Sequence, residues 1–455
     1  MTEKFRQFIL FLGDVLLLYA SLFLALSIRN QAIISREEWA GHWPVFSIAF
    51  GIWIVVFYIA DAYTLHNIRN DLRFYATASQ AMATNILLAV AFFYILPQTQ
   101  LAPKTILVLN GVLFFILFVG WRQLAHRWIS KTILKRKALI IGNDHATVRE
   151  LTNLLDHNPQ YGYEVAAIMT HNADDHHGNL PDYRNQGELA EVLAKHHISI
   201  VVLDKEGRKS KELISNLYRH LGEPLEFIAL DRFYESIAKR ISLETIDQFW
   251  FLENLQEGKK RLYDLGKRLT DVIVAFLAGA VFLLLIPPIG LLILTTSGTP
   301  IFFKQLRLGK NGKSFTAIKF RTMVADAEKH GPQWAKKDDI RITPVGRFLR
   351  KTRLDEIPQL WNIFRGEMSF VGPRPERPEF VEQLEQDVPF YRERLLVKPG
   401  LTGWDQISGE YHSASKQDSL KKLQYDLYYI KNRSLFLDLT IILKTIKTVL
   451  SGAGR

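Results

Sequence analysis

The sequence predicts a membrane protein of α plus α/β class. Four N-terminal transmembrane helices should occupy residues 1–134, a Rossmann-like soluble domain 135–257, and a second α/β domain with a re-entrant membrane helix hairpin 258–455. Three observations predict it. Four nearly charge-free stretches crowd the first quarter of the chain, strands and helices alternate from about 137 to 255, and a further apolar segment near 272–294 is broken by two prolines.

Composition alone is less informative. The chain has 455 residues, 48% of them hydrophobic, with 57 Lys+Arg against 46 Asp+Glu, a formal charge of +11. The length suggests roughly three domains. The mean hydropathy of +0.01 looks ordinary for a soluble protein, but it averages two unlike populations. Cysteine is absent, which excludes disulfides, Cys-ligated zinc, iron–sulfur clusters and any thiol nucleophile. The basic balance permits nucleic acid, a membrane surface or phosphorylated substrates as partners.

Phe8–Ile28, Trp43–Ala60, Ala76–Leu96 and Thr105–Trp121 each approach the roughly 20 residues that a helix needs to cross a bilayer. The first lacks a small-residue cleavage site and three more follow, so it reads as a retained span rather than a signal peptide. Asp14 is its one charge, expected to snorkel or to bind a neighbouring helix. Lys4 and Arg6 precede the first span, Arg69 and Arg73 lie between the second and third, and a basic run from Arg122 to Lys137 follows the fourth. This asymmetry predicts a cytoplasmic N-terminus and a cytoplasmic start for everything beyond Lys135.

In the middle segment, Ala138–Ile141, Val165–Met169, Ile198–Leu203 and Leu225–Leu230 read as strands separated by helices, which argues a parallel sheet. The turn after Ile141 carries one glycine, Gly142, where a dinucleotide-binding turn uses three. A structural or regulatory domain is therefore the preferred reading over a nucleotide site. Asp174, Asp175, His176 and His177 read as a solvated loop ahead of a metal site.

Val272–Leu294 is long enough to span. Basic residues flank it on both sides, Lys259 to Arg268 before and Lys304 to Lys313 after, which favours two cytoplasmic ends. Pro287 and Pro288 remove two backbone donors and build in a bend. A re-entrant hairpin over about 268–296 satisfies both observations.

Beyond it, Pro300–Gln305 and Ser314–Phe320 read as strands joined at Asn311-Gly312. Gly312-Lys313-Ser314 mimics the end of a P-loop, but Arg307 stands where the earlier glycine belongs, so a Walker site is rejected. Lys319 and Arg321 should share a strand face. The densest constellation runs from Arg341 through Arg347, Arg350, Lys351 and Arg353 to the adjacent carboxylates Asp355 and Glu356, just before Pro358. Ionised carboxylates among guanidiniums suit metal-assisted phosphoryl transfer: a carboxylate attacks phosphorus or holds Mg²⁺ while arginines neutralise phosphate oxygens. A surface ion-pair network explains the same residues equally well. Arg374 sits rigidly between Pro373 and Pro375, and Pro399-Gly400-Leu401-Thr402-Gly403 ends on Trp404, a face that suits a stacked base or a structural turn.

These motifs together resemble the polyprenyl-phosphate hexose-1-phosphate transferases, the monotopic phosphoglycosyl transferases that start bacterial glycan assembly. The resemblance rests on Lys319-Phe-Arg321-Thr-Met, Leu354-Asp355-Glu356-Ile-Pro-Gln-Leu-Trp-Asn, Gly366-Glu-Met-Ser-Phe-Val-Gly-Pro-Arg374-Pro and Lys398-Pro-Gly-Leu-Thr-Gly-Trp404, within about 258–455. The four spans and degenerate nucleotide-like domain extend it to the large members of that family.

The resemblance implies a ping-pong reaction at the cytoplasmic face of the bacterial inner membrane. Asp355 would attack the β-phosphate of a UDP-sugar, UDP-glucose or UDP-galactose, releasing UMP, and the phospho-sugar would pass to undecaprenyl phosphate. Glu356 would assist Mg²⁺ binding or proton transfer, so that both acids count as metal ligands. Arg350 and Arg374, with Lys319, Arg321 and Trp404, would contact substrate. Pro287 and Pro288 would form the bend of the re-entrant helix in membrane lipid. A homodimer stays open as a partner, and nucleic acid is not expected. The product would feed exopolysaccharide, capsule or O-antigen synthesis. Two positions depart from the family pattern: Arg353 stands where Ser or Thr is common, with Thr352-x-x-Asp355 as an alternative cap, and Glu410 replaces a basic residue.

Two other functions compete with this one. A membrane-bound nucleotide-sugar dehydratase would need an intact glycine fingerprint and a Tyr-x-x-x-Lys pair, and the only such spacing is Tyr263…Lys267. A non-catalytic scaffold would leave the Asp355–Glu356 pair in its arginine cluster unexplained. UMP release from UDP-sugars with Mg²⁺ separates all three.

Overall fold

The structure is a computed structural model. It describes residues 3–63, 72–95, 104–132, 135–142, 145–170, 181–183, 186–255, 260–324, 326–329, 331, 333, 339–408 and 415–450. The expected Asp174–His177 loop and Glu410 lie outside these residues. The chain forms two compact units, 1–143 with 148–227, and 144–147 with 228–455.

The first unit opens with four long helices, α1 (Glu3–Asn30), α2 (Arg36–Ile59), α3 (Leu72–Ile95) and α4 (Lys104–Thr132). All four are long and apolar enough to cross a membrane. Ser35 starts α2 with a capping box: its Oγ accepts the Glu38 N–H, and the Glu38 carboxylate accepts the Ser35 N–H at 3.1 Å. Aromatic rings fill the bundle interior, with Phe57 stacked on Phe118 at 5.2 Å and Trp53 fully buried. Leu16, Leu87 and Ile116 point outward, as lipid-facing side chains do when no water competes for them. Asp14 binds a neighbouring helix: Arg122 Nη2 of α4 donates to its Oδ2 at 2.6 Å, both side chains buried. The guanidinium also lies over the Phe118 ring at 4.8 Å.

The same unit holds a five-stranded sheet built from β1 (Arg136–Ile141), α5 (His145–His157), β2 (Tyr163–Met169), β3 (Asp182–Tyr183), α6 (Leu189–Lys195), β4 (Ile200–Leu203), α7 (Lys211–Tyr218) and β5 (Glu226–Ala229). The strand order is β3-β2-β1-β4-β5. β1 pairs in parallel with β2 and β4, and β2 with β3. Every residue of β4 is buried, which is why it reads as a continuous apolar run rather than an alternating one.

The second unit contains α8 (Leu230–Ala238), α9 (Gln248–Asn254), α10 (Arg261–Leu283), α11 (Ile286–Ser297), β6 (Phe302–Leu308), β7 (Ser314–Phe320), α12 (Pro344–Lys351), α13 (Leu360–Arg365), β8 (Ser369–Val371), α14 (Pro378–Asp387), β9 (Gly400–Thr402), α15 (Trp404–Ile407), α16 (Lys416–Asn432) and α17 (Leu435–Leu450). Ile241, Ile246 and Trp250 pack into one core with Val371, Tyr391 and Leu423. The packing therefore joins the residues after β5 to the C-terminal part of the chain, ahead of the expected boundary at 257/258. α10 and α11 meet at a bend of 57°. Pro287 and Pro288 stand in the first turn of α11, where the missing N–H groups have no intrahelical acceptor to lose.

β6 and β7 form an antiparallel hairpin. Asn311 (φ 57) and Gly312 (φ 74) turn it, both in the left-handed region that a tight hairpin demands. β8 and β9 pair in parallel at very close range: a Cβ on Gly372 would stand 2.4 Å from the Lys398 carbonyl oxygen.

Candidate active site

The polypeptide from α12 to α13 carries the dyad. Thr343 caps α12 by accepting the Gly346 N–H at 3.0 Å. After α12, Arg353 adopts a left-handed conformation (φ 58, ψ 12) and the chain enters a 3-10 turn at Leu354–Gln359. A non-glycine residue there costs strain, which is tolerated where the surroundings over-determine the turn. The turn places Asp355 and Glu356 inside, 8% and 6% exposed. The expected cap by Thr352 does not form, because its hydroxyl donates back to the carbonyls of Phe348 and Leu349. This is the usual back-bond of a threonine in a helical last turn.

Glu356 is clamped. Lys319 Nζ at the end of β7 and Arg374 Nη2 both contact its Oε1 at 2.7 Å, and Arg353 Nη1 lies 3.6 Å from its Oε2. Asp355 differs, since its Oδ1 is buried without a hydrogen-bond partner among the described residues. Arg350 completes the group, its Nε donating to Thr322 Oγ1 at 2.9 Å. Four cations around two carboxylates leave an excess of positive charge that suits a phosphate.

The two carboxylates are driven apart electrostatically. Burial and the neighbouring Glu356 charge raise the Asp355 pKa despite Lys319, Arg350 and Arg374. Burial would raise Glu356 too, but Arg374, Lys319 and Arg353 outweigh it and hold that carboxyl well below its usual range. Burial lowers Lys319, only partly offset by Glu356. One acid is thus locked as an anion while the other keeps a desolvated, unpartnered oxygen. Divergent environments for adjacent acids are how a single site separates two roles.

Side chains to which the sequence assigns no role in the site hold this arrangement. The Arg374 carbonyl accepts from Arg394 Nη2 at 3.0 Å, and Arg394 is paired with Asp426 at 2.8 Å. Arg307 Nη1 donates to the Pro375 carbonyl at 2.9 Å. Asn362 of α13 ties the dyad segment to β7, accepting the Ile318 N–H and donating to the Thr316 carbonyl. Arg307 had a signal, its alternation along β6; Asp426 had none, lying in an amphipathic helix far along the chain.

Two expected substrate contacts lie elsewhere. Arg321 follows the end of β7, and its guanidinium donates to the carbonyls of Ser297, Gly298 and Thr299. It caps the unsatisfied end of α11 instead of joining Lys319. Trp404 stacks on Tyr428 at 5.6 Å and donates its indole N–H to the Lys239 carbonyl at 2.9 Å. That is the structural-turn alternative. Lys319, Arg350, Asp355, Glu356 and Arg374 do come together.

Among the described residues no group of three or more His, Cys, Asp or Glu could hold a metal. In the first unit, the carboxylate of Asp204 at the end of β4 fills the space over Gly142, where a Cβ would meet its Cγ at 2.0 Å. Asp204 Oδ1 accepts the Gly207 N–H at 2.6 Å. The Asp204 side chain therefore occupies the space beside Gly142 at the end of β1.

Comparison with known proteins agrees with the geometry. Residues 262–452 match the bacterial sugar transferase family, and residues 58–203 match a CoA-binding domain family. A UDP-N-acetylgalactosamine-undecaprenyl-phosphate N-acetylgalactosaminephosphotransferase of Aeromonas hydrophila is 43% identical over 193 residues, 42% of this chain and 45% of that one. The match thus spans less than half of that relative's length. A UDP-glucose:undecaprenyl-phosphate glucose-1-phosphate transferase of Xanthomonas campestris pv. campestris is 32% identical over 69% of this chain and 66% of its own. An undecaprenyl-phosphate galactose phosphotransferase of Salmonella typhimurium is 30% identical over 74% of this chain and 73% of its own length. With the dyad, its basic clamp and this coverage together, the chain belongs to the bacterial sugar transferase family.

Proposed function

We propose that this protein transfers a hexose-1-phosphate from a UDP-sugar to undecaprenyl phosphate, with release of UMP, through a covalent intermediate on Asp355. The observation that carries the reading is the unpartnered Asp355 Oδ1 beside a Glu356 clamped by Lys319 and Arg374. In the first step an Asp355 oxygen bonds to the β-phosphorus and the bond from that phosphorus to the bridging oxygen breaks. UMP leaves with the bridging oxygen. In the second, an oxygen of undecaprenyl phosphate attacks the same phosphorus and Asp355 departs as a carboxylate. Arg350, Arg353 and Arg374 neutralise phosphate oxygens, and Glu356 keeps Lys319 and Arg374 in place. The names of the relatives support UDP-glucose, UDP-galactose or UDP-N-acetylgalactosamine as donor.

The donor set fits a Mg²⁺ held mainly by substrate oxygens, the ion's usual habit. Asp355 Oδ1 would be its carboxylate ligand, since both Glu356 oxygens face cations. Bound there, the ion would neutralise charge on the diphosphate. The bend between α10 and α11 supports a re-entrant hairpin, because α11 has 12 residues, about 18 Å of helix against a hydrocarbon core of about 30 Å. Both ends of the pair would then face the cytoplasm at the inner membrane. The strand order of the middle sheet supports a Rossmann-like domain, and Asp204 over Gly142 supports a structural role for it. The dehydratase reading finds no support, since Tyr263 and Lys267 are both spent on Asp438.

The deciding experiment incubates the purified chain with Mg²⁺ and single UDP-sugars, with and without undecaprenyl phosphate. UMP release with a phospho-sugar adduct on Asp355, discharged by the lipid, is expected. Lipid-dependent turnover without an adduct would overturn the ping-pong route.

A further inference from the structure

A cation-rich cavity lies in the C-terminal unit, sharing no residue with the dyad cluster. It has a volume of about 150 Å³ and is lined by the first turns of α10, Lys310 on the β6–β7 turn, Val397 and Lys398 before β9, Tyr429 of α16, and Arg433. Two of its cations are matched: Lys267 with Asp438 at 2.9 Å, and Arg433 with Asp264 at 3.9 Å. The lining carboxylate of Asp271 accepts from Ser369 Oγ and the Phe370 N–H at 3.0 Å, neutral donors that leave its charge in place.

Three cations remain against that one carboxylate. Arg268 donates to the carbonyls of Ile363 and Phe364 at the end of α13, which satisfies its hydrogen bonds without neutralising its charge. Its guanidinium and Lys398 Nζ flank Gly366, 3.4 and 3.5 Å from the point where a Cβ would stand. The ammonium groups of Lys310 and Lys398 make no hydrogen bond or ion pair among the described residues. Burial and the nearby charges of Arg268 and Lys310 depress Lys398 against the opposing carboxylates of Asp271 and Asp264, so the three cations sense one another. Like charges converging in a partly desolvated pocket are costly unless an anion joins them.

The setting selects the anion. α10 carries exposed Leu262, Leu265, Leu269 and Phe276 on its outer side, so the cavity opens beside an apolar surface of a membrane protein. Its volume falls below the roughly 300 Å³ at which pockets begin to take whole small molecules, which argues against a nucleotide-sugar. We propose that this cavity binds the phosphate of a membrane lipid, held by Arg268, Lys310 and Lys398, as a site separate from the dyad. The inference rests on α10 lying at the membrane face, as in the function proposed above.

The test uses the full chain in detergent with three probes: dihexanoyl phosphatidylglycerol, dihexanoylglycerol and inorganic phosphate. The phospholipid should raise the melting temperature saturably, the phosphate-free lipid should not, and inorganic phosphate should bind at least about tenfold more weakly because it lacks the tails. Lys310→Gln and Lys398→Gln should each weaken phospholipid binding by about tenfold, the loss of one charge-assisted contact, whereas Lys398→Arg should retain it. Lys310 lies on a turn, so its variant keeps the test open if Lys398→Gln fails to fold. Saturating UDP-glucose should not displace the lipid, and Asp355→Asn should bind it as the wild type does. Unchanged affinity in both glutamine variants, or displacement by UDP-glucose, would overturn the separate site. Equal affinity for inorganic phosphate would overturn the lipid source. UMP release by Asp355→Asn is read separately, so the catalytic proposal can fail while this one stands.

Discussion

Lys319 and Arg374, 55 positions apart in the chain, contact the same oxygen of Glu356 at 2.7 Å each. This shared contact joins the end of β7 to the proline-bracketed loop after β8, and it leaves Asp355 as the less restrained member of the dyad.

Glu356→Gln should therefore cost more stability than any other change at the dyad. Both oxygens face cations in a buried site, and losing the charge leaves Lys319 and Arg374 unmatched, a penalty of about 3 kcal/mol. Its folded pKa is depressed. Its contribution is thus present above the ordinary glutamate range and lost as pH falls through the depressed value. Melting temperatures of wild type and variant should differ widely at neutral pH and converge under strong acid. Equal melting temperatures at neutral pH would contradict the clamp.

Asp355→Asn should have the opposite effect on stability while abolishing UMP release and phospho-sugar labelling. The folded pKa of Asp355 is raised, so its favourable, protonated contribution is lost as pH rises through that value. At neutral pH the ionised acid costs stability, and the amide should raise the melting temperature, by an increment of order 1 kcal/mol. Full activity in this variant would refute the nucleophile assignment.

The same shift sets the acid limb of the wild-type pH profile. A nucleophilic carboxylate must be ionised, so kcat/KM should begin to fall at a pH above the ordinary aspartate range. An acid limb at the ordinary value would show that the desolvated state of Asp355 does not govern the reaction.

Arg321→Ala separates a clamp from a substrate contact. Its guanidinium serves three carbonyls at the end of α11, so the variant should lose about 2–3 kcal/mol of stability. The KM for UDP-sugar should stay near the wild-type value in the folded fraction. A selective rise in KM with unchanged melting temperature would return Arg321 to the substrate site.

A reporter fused after Arg455 should read cytoplasmic, because basic residues flank α10–α11 on both sides and α11 is too short to complete a crossing. A periplasmic signal would mean that the pair spans.

Much was legible without coordinates wherever the cause is local. Apolar run length announces α1 to α4, Asn311-Gly312 announces the β6–β7 hairpin, and Pro287-Pro288 marks the break before α11, because hydrophobic periodicity, φ preference and missing donors act over a few neighbouring residues. The Asp355–Glu356 pair in its basic run belongs to the same class. What only the tertiary structure decided is which charges meet. Lys319 reaches the dyad while Arg321, two residues on, turns to the carbonyls that α11 leaves unsatisfied. Arg122 finds Asp14 in the first span, and Asp426 holds Arg394 behind Arg374. Trp404 stacks on Tyr428 and donates to the Lys239 carbonyl. A long cation goes to whichever unsatisfied acceptor the packing brings within about 3 Å, and that acceptor comes from a distant part of the chain.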